Sequence, residues 1–378
     1  MKFAFVLFKY FPFGGLQRDF SRIAEACISL GHQVDVYSII WEGPKPDNME
    51  VHVAPIKAFS NHQRNILFTT WLKQQFQQTQ YDAIVGFNKL EGLDVYYAAD
   101  PCYQDKALTL RHPLYRLGSR YKHFYQQEKA VFSIKSHTEI LMISEVQKPL
   151  FQKHYHTPEA RFHLLPPGIS KDRKAPVNAA EIRANFRQQW NINDNQQLML
   201  MVGSGFKTKG LDRALLALAS LPDKQKENTH FIVIGQDNPK TFLKQASSLG
   251  ITKNITILKG RNDIPDFLLG ADLLIHPAYN ENTGTILLEA VVAGLPVLVT
   301  DVCGYAHYIS EANAGVVLNS PFNQPALNTA LSYILTKDKS ELKQNALNFA
   351  SQADIYDMPK KAAQIIEDAA HRKPGQTS

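Results

Sequence analysis

Residues 276–290, HPAYNENTGTILLEA, lie between a predicted strand and a predicted helix. Residues 272–276 form an apolar run that predicts a buried strand, residues 287–293 predict a helix, and residues 295–300 predict the next strand. Strands that alternate with helices indicate a parallel α/β sheet, and open sheets of this class bind ligands at the carboxyl ends of their strands. The stretch therefore predicts an α/β fold with a ligand site in the loop before the helix.

The loop has small residues where the helix must begin. Thr283, Gly284 and Thr285 would place the unpaired N–H groups of a helix start where a phosphate could approach closely. Glu281 lies just before this point, and Glu289 lies along the helix, about 12 Å further by helical rise. Carboxylates on either side of a phosphate site suit a nucleoside diphosphate sugar, in which a hexose and a ribose flank two phosphates. The alternative interpretation is a surface loop followed by an ordinary amphipathic helix.

The alternation of strand and helix occurs in both halves of the chain. A chain of 378 residues suggests two domains. Each half begins with a predicted strand, at 3–8 and 198–202, and each of these strands is followed by a glycine turn. Further apolar runs predict strands at 34–39, 83–86, 95–99, 140–143, 231–234, 255–258 and 273–276. The pattern predicts two Rossmann-like domains, with a boundary at the Pro-Pro-Gly run of residues 166–168.

Residues 272–300 resemble the donor-site segment of retaining GT-B glycosyltransferases of the glycogen-synthase-like family 4. The signature of that family is a pair of glutamates separated by seven residues, as in Glu281 and Glu289. Five segments are similar to a narrower group, the bacterial lipopolysaccharide core glucosyltransferases I: residues 1–19, 41–43, 86–89, 165–168 and 303–308. The resemblance extends over nearly the whole chain.

This resemblance implies a GT-B fold, with two Rossmann-like domains whose parallel sheets face a central cleft. Residues 1–167 would form an acceptor-binding domain, and residues 168–354 would form a nucleotide-sugar-binding domain. A helix at about 355–372 would cross back onto the first domain.

The activity implied by the resemblance is transfer of glucose from UDP-glucose, with retention of configuration, to a heptose of the lipopolysaccharide inner core. Three alternatives stay open: another UDP-hexose-dependent hexosyltransferase, a sugar-nucleotide epimerase of the same fold, or a catalytically silent binding protein. An oxidoreductase is disfavoured, because no Gly-x-Gly-x-x-Gly motif opens either half.

The resemblance also assigns a donor site. Its residues would be Gly14, Gly15, Asp19, Lys207, Lys209, Arg261, Ile264, Glu281, Asn282, Thr283, Gly284, Thr285 and Glu289. Backbone amides at the two N-terminal glycines would face the diphosphate, and Asp19 would help to hold the hexose. Lys209 would stabilise the charge that develops on the departing UDP.

Further expectations concern Thr208, Arg261 and Asp100. Thr208 stands where many relatives carry arginine, so Lys207 is only a candidate for a second cation. Arg261 resembles a nucleobase-contacting residue and could stack on uracil. Asp100, expected to be catalytic with Glu281 and Lys209, would orient the acceptor or stabilise the oxocarbenium-like centre; its alternative role is to cap a helix.

Neither a metal nor a cofactor is expected. The thirteen histidines show no metal-ligand spacing, and no Asp-x-Asp pair marks a divalent ion. The three cysteines are widely scattered and fit a reducing compartment. The resemblance implies UDP-glucose as a substrate, with the basic loop around Lys209 substituting for a metal.

Positive charge is concentrated in residues 106–135. This basic segment holds seven Lys/Arg residues and one acid, Glu128, so its net charge of +6 equals that of the whole chain. Apolar residues recur within it at helical spacing, as at Leu114, Leu117 and Tyr121. A basic amphipathic helix suits an anionic membrane surface. A nucleic acid would suit the same charge, and the apolar stripe could instead pack on its own domain.

The resemblance favours the membrane, because similar enzymes act at the cytoplasmic face of the bacterial inner membrane. A cytoplasmic, peripheral protein is therefore expected, with anionic lipids and the lipopolysaccharide inner core as partners and no nucleic acid. The residues predicted to bind lipid are Arg111, Arg116, Arg120, Lys122, Tyr121 and Tyr125.

Overall fold

The structure is a computed structural model that describes residues 1–12 and 14–372. Its packing divides the chain into two compact units. The N unit comprises Met1–Gly168 and the chain from Tyr356 onward, and the C unit comprises Ile169–Ile355. The boundaries predicted from the sequence, after residues 167 and 354, lie within one residue of these divisions.

In the described part of the N unit, seven strands form one sheet, and all of their pairings are parallel. They are β1 (Lys2–Tyr10), β2 (Gln33–Trp41), β3 (Glu50–Val53), β4 (Ala83–Gly86), β5 (Val95–Ala98), β6 (Glu139–Met142) and β7 (Phe162–Leu164). Their spatial order is β3-β2-β1-β4-β5-β6-β7. Residues 3–7 of β1 are buried, as expected for a strand with both faces covered.

The helices of this unit up to Gly168 cover both faces of the sheet. They are α1 (Gly15–Ser29), α2 (Asn61–Gln78), α3 (Tyr103–Thr109), α4 (Ser119–Phe132) and α5 (Lys148–Tyr155). One core contains Phe3, Phe5 and Phe20, and the other contains Val6, Tyr96 and Phe132. The alternating residues of β1 therefore face different cores.

Six parallel strands form the sheet of the C unit, in the order β10-β9-β8-β11-β12-β13. They are β8 (Gln197–Val202), β9 (Thr229–Ile234), β10 (Ile255–Leu258), β11 (Leu273–His276), β12 (Val297–Thr300) and β13 (Gly315–Leu318). The connections reverse direction between the neighbouring strands β8 and β11. Ligands bind at such switch points in open α/β sheets, so the loops after β8 and β11 are the expected site.

Nine helices belong to the described part of the C unit. They are α6 (Ala179–Gln189), α7 (Leu211–Ala219), α8 (Asp223–Glu227), α9 (Lys240–Ser248), α10 (Ile264–Gly270), α11 (Thr285–Val292), α12 (Ala306–Glu311), α13 (Gln324–Thr336) and α14 (Ser340–Gln352).

The last helix, α15 (Met358–His371), belongs to the N unit and packs on α1 and β4. Met358, Ala362, Ile366 and Ala370 recur at helical spacing and are buried in the core beneath α1. The apolar face of α15 thus completes the core of the unit in which the chain began.

The basic segment is not one amphipathic helix, and that prediction is wrong. It is divided among α3, a 3₁₀ turn at Pro113–Leu117, and α4. Pro113 begins the turn, and Gly118, in an extended conformation, separates the turn from α4. Proline lacks the N–H that a continuous helix needs and forces the preceding residue out of helical conformation.

Candidate functional site

The Glu281 loop connects β11 to α11 and is held by the two neighbouring loops. Tyr279 N–H donates to the Thr208 carbonyl at 2.8 Å, so the loop is tied to the segment after β8. On its other side, Gly304 N–H donates to the Glu281 carbonyl at 3.1 Å, and Tyr305 N–H donates to the Thr283 carbonyl at 2.8 Å. The backbone around Glu281 is therefore fixed before any ligand arrives.

Gly284 immediately precedes α11 and has a left-handed conformation, with φ of +83°. A Cβ at this position would lie 3.0 Å from the Leu287 side chain, which is tighter than ordinary packing. Glycine is the residue that adopts this conformation without strain. The helix start predicted from the small residues of the loop is found at Thr285.

Lys209 and Glu281 form an ion pair, and their side chains are 18% and 19% exposed. Burial would raise the pKa of Glu281, but His276 and the Lys209 ammonium outweigh it and lower that pKa to about 2. The carboxylate is thus ionised at neutral pH. Gly203, with φ of +128°, leaves room for the Lys209 chain, since a Cβ there would lie 2.6 Å from Lys209 Cε.

His276 ends β11, and its Nε2 atom lies 3.5 Å from the Glu281 carboxylate. From the sequence, His276 is assigned no place beside Glu281. The side chain has no exposed surface, and burial lowers the pKa of the imidazole, which is therefore neutral at pH 7. The available signal was its position at the carboxyl end of the strand that leads into the loop.

Lys207 is bound to other residues of the C unit. Its ammonium lies 2.5 Å from Asp212 Oδ2 and 3.1 Å from the Tyr279 hydroxyl, which also donates to Asp212 at 2.7 Å. Thr208 contributes its backbone carbonyl to the Tyr279 contact described above. The Lys207 side chain is 68% exposed, and its ammonium has three N–H donors, so these contacts leave room for a phosphate to approach it.

The two remaining parts of the predicted donor site in the C unit lie on α11 and before α10. Glu289 is 6% exposed on α11. Arg261 makes a two-pronged ion pair with Asp263, with distances of 2.7 and 2.6 Å, and Ile264 is the buried first residue of α10. The guanidinium also lies 5.2 Å from the centroid of the Phe267 ring.

The predicted residues of the N unit follow β1 and β5. Gly15 begins α1, and a Cβ there would meet no atom within 4 Å, whereas Gly14 is buried against Gln17. Asp19, on α1, accepts a hydrogen bond from the Tyr97 hydroxyl at 2.7 Å. Asp100 is exposed two residues after the end of β5.

One group among the described residues could supply three metal ligands, namely Asp35, Glu50 and His52. It lies on β2 and β3, near their amino ends. The Asp35 carboxylate already has the Lys2 ammonium at 2.7 Å and the Tyr81 hydroxyl at 2.6 Å. The cluster is therefore occupied by a lysine and does not belong to the predicted site.

The basic segment exposes leucines together with arginines and lysines. Leu110, Leu114 and Leu117 are 71%, 66% and 70% exposed. The predicted lipid-binding residues Arg111, Arg116, Arg120 and Lys122 are exposed as well. We call these seven residues the basic surface. Its leucines are therefore largely exposed to solvent.

Tyr121 and Tyr125, predicted to contact lipid, are half-buried inside the N unit. Their rings stack at 5.6 Å, and Tyr121 also stacks on Tyr103 and donates its hydroxyl to Gln104 at 2.6 Å. These tyrosines fasten α4 to α3, so the apolar part of the basic surface is formed by leucines. Within residues 1–12 and 14–372, no helix combines the length and apolar character needed to span a bilayer.

Two family models match the chain. The model of glycosyl transferases group 1 matches residues 182–351, and that of glycosyltransferase family 4 matches residues 13–173. The lipopolysaccharide glucosyltransferase WaaG of Escherichia coli is 47% identical over 365 residues, which cover 96% of this chain and 98% of that protein. An uncharacterized glycosyltransferase of Methanocaldococcus jannaschii is 23% identical, with 84% of each chain covered.

Solved structures agree with these matches. A crystal structure of WaaG, described as a glycosyltransferase involved in lipopolysaccharide biosynthesis, superposes with a TM-score of 0.91, covering 96% of this chain and 99% of that chain. Anabaena HepE in complex with UDP-glucose gives a TM-score of 0.73 at 17% identity, covering 98% of this chain and 99% of that chain, and shows the shared fold alone. The predicted GT-B class, with two parallel-sheet α/β units, is confirmed.

Proposed function

Because the chain belongs to the lipopolysaccharide glucosyltransferases, within the glycosyltransferases of group 1 and family 4, we propose that it transfers glucose from UDP-glucose to a heptose of the lipopolysaccharide inner core. The observation that carries this proposal is the Lys209–Glu281 pair beside the start of α11. It combines a cation suited to a diphosphate with a carboxylate suited to sugar hydroxyls. The acceptor follows from the similarity to the E. coli enzyme.

On this proposal, the Lys209 ammonium leaves Glu281 and pairs with the diphosphate when the donor binds. Its ammonium then stabilises the negative charge that grows on UDP as the bond to the sugar breaks. Glu281, released from the lysine, accepts hydrogen bonds from hexose hydroxyls. Glu289, buried along α11, binds the ribose hydroxyls.

We propose transfer with retention and without an enzymatic nucleophile. The acceptor hydroxyl attacks the anomeric carbon, and the bond from that carbon to the diphosphate oxygen breaks. The electron pair stays on the leaving phosphate, which also takes the acceptor proton, so the products are the glycoside and UDP. Asp100 orients the acceptor or stabilises the positive charge that develops on the sugar.

The basic surface is proposed to hold the enzyme on an anionic membrane, on the cytoplasmic face where the lipopolysaccharide core is built. Each basic residue near such a surface contributes about 1 kcal/mol. The exposed leucines add apolar area that can enter the membrane interface.

UDP release in the presence of EDTA tests the proposed reaction. Purified protein, UDP-glucose and core-truncated lipopolysaccharide should give UDP and a new glucosyl product, whose linkage analysis should show an α-configured glucose on heptose. An epimerase would convert the donor without acceptor, and a silent binding protein would release no UDP. Activity only after addition of magnesium or manganese would contradict the metal-free proposal.

A further inference from the structure

Glu128 is the one acidic residue of the basic segment, and it has no exposed surface. It lies on α4, where its carboxylate accepts hydrogen bonds from Lys89 Nζ at 2.5 Å and from the Tyr155 hydroxyl at 2.6 Å. Burial would raise the pKa of Glu128, but the Lys89 ammonium outweighs burial and lowers it. Glu128 is therefore an ionised side chain fixed in one position.

The other hydrogen bonds of Glu128 reach the backbone that follows Asp100. The N–H groups of Tyr103 and Gln104, the first two residues of α3, donate to the carboxylate at 2.7 and 2.9 Å. Cys102 precedes α3 and makes no side-chain capping bond of its own. Glu128 thus supplies, from a different helix, the acceptor that a helix start requires.

Two further side chains hold the same loop. Lys89 Nζ donates to the Pro101 carbonyl at 2.8 Å, and Cys102 N–H donates to Gln147 Oε1 at 2.9 Å. Lys89 is 11% exposed and Gln147 is 6% exposed. The residues immediately after Asp100 are consequently fixed by buried groups, while Asp100 itself faces solvent.

We propose that Glu128, together with Lys89, is a positioning residue for Asp100 and acts on the transfer without touching substrate. This inference rests on the proposed function, in which Asp100 acts on the acceptor or the sugar. A misplacement of about 1 Å in a group that orients a reactant can cost on the order of 10²-fold in rate. A shift of the backbone beside Asp100 should therefore lower kcat.

Replacement of Glu128 by glutamine tests the proposal, because glutamine keeps the shape and one acceptor oxygen but loses the charge. The variant should lower kcat by about 10- to 100-fold. UDP affinity, measured by calorimetry, should stay unchanged because neither Glu128 nor Asp100 is among the residues proposed to bind the donor. Glu139→Gln is the matched control: this partly buried carboxylate of the N unit accepts from His163 at 2.7 Å, and its loss should leave kcat unchanged.

A double-mutant cycle with Asp100→Asn separates positioning from a merely structural role. If Glu128 acts through Asp100, Glu128→Gln should change kcat by about twofold or less in the Asp100→Asn background. Equal losses in both backgrounds would overturn the proposal. Should Glu128→Gln fail to fold by circular dichroism, Lys89→Met in the same cycle decides the question through the Pro101 contact.

Hydrogen exchange gives a readout that needs no turnover. Glu128→Gln should speed exchange of the Tyr103 and Gln104 amides by about tenfold, and Glu139→Gln should not. Unchanged exchange of the Tyr103 and Gln104 amides would refute the proposal that Glu128 fixes this part of the backbone. A wild-type protein that exchanges as expected but releases no UDP would refute the proposed function and, with it, the role in turnover.

Discussion

At the scale of single residues, the charge of Glu281 links the candidate site to stability in acid. The folded-state pKa of about 2 lies below the ordinary value of 4.5, so the pair stabilises the fold above pH 4.5 and loses this effect as pH falls towards 2. The stabilisation at neutral pH is up to about 3 kcal/mol.

Chemical denaturation at several pH values checks this expectation. The difference in unfolding free energy between wild type and Glu281→Gln should be constant above pH 4.5 and shrink below it. Glu341→Gln, an exposed position on α14, is the control and should show little difference at any pH. A difference that grows with acidity would contradict the assignment.

Glu281 and Glu289 should separate in their effects on the donor. Glu281→Ala should keep most of the UDP affinity while turnover falls by roughly two orders of magnitude or more, since it removes contacts made in the transition state. Glu289→Ala should weaken UDP itself, because ribose is its proposed partner. Calorimetry with UDP and steady-state kinetics measure the two effects, and the reverse pattern would exchange the assignments.

The local structure around Glu281 is more predictable from the sequence than the contacts made there. The strand, the loop and the helix start around Gly284 were predictable because small residues and an apolar run determine them locally. His276 and Glu281 are only five residues apart, as are Lys207 and Asp212, but both contacts depend on the path of an irregular loop. Residue spacing alone does not specify that path.

At the scale of elements, Gly210 determines how α7 begins. It precedes Leu211 with φ of +79°, and a Cβ there would lie 2.0 Å from the Pro277 carbonyl oxygen. Gly210→Ala should therefore lower the unfolding free energy by about 1–3 kcal/mol or more.

Thermal and denaturant unfolding measure the effect of Gly210→Ala. Gly15→Ala is the comparison, because a Cβ at that helix position meets nothing within 4 Å and should leave stability nearly unchanged or slightly raised. Equal stability of the two variants would show that the loop after β11 can yield to the added methyl group.

The elements that sequence reasoning missed share a physical cause. Strands β3, β7 and β13 have three or four residues each, and none of these residues is buried, so their strand signal in the sequence is weak. In the basic segment, apolar residues at helical spacing suggested one helix, although Pro113 and Gly118 divide it. The spacing of Leu114, Leu117 and Tyr121 does not reveal the break, because residues three apart lie on one face of a 3₁₀ turn as well as of an α-helix.

At the scale of the whole molecule, the basic surface should govern membrane binding. Replacing Arg116, Arg120 and Lys122 with glutamine should release the protein from anionic vesicles, and added salt should do the same, because screening limits the attraction to about 10 Å at 0.1 M. Vesicle sedimentation measures binding. Activity on a short, soluble acceptor should survive in this variant.

The vesicle experiment can also test whether the exposed leucines contribute to binding. Leu114→Ser with Leu117→Ser should weaken binding while keeping its salt dependence, because these changes remove apolar area and leave the charges in place. Replacing Lys224 and Lys226, on α8 in the C unit, with glutamine is the control and should leave vesicle binding unaltered. Binding that neither salt nor either set of changes reduces would exclude docking through the basic surface.

The three buried cysteines can report local opening of the structure. Cys27, Cys102 and Cys303 are buried, and burial raises the pKa of each thiol to about 12, so none is reactive in the folded state at neutral pH. They lie in the core beneath α15, at the start of α3, and beside the Glu281 loop. The alkylation rate of each thiol, measured by mass spectrometry, would therefore report how often the structure opens at three separate places. Bound donor should slow alkylation of Cys303 more than that of the other two cysteines.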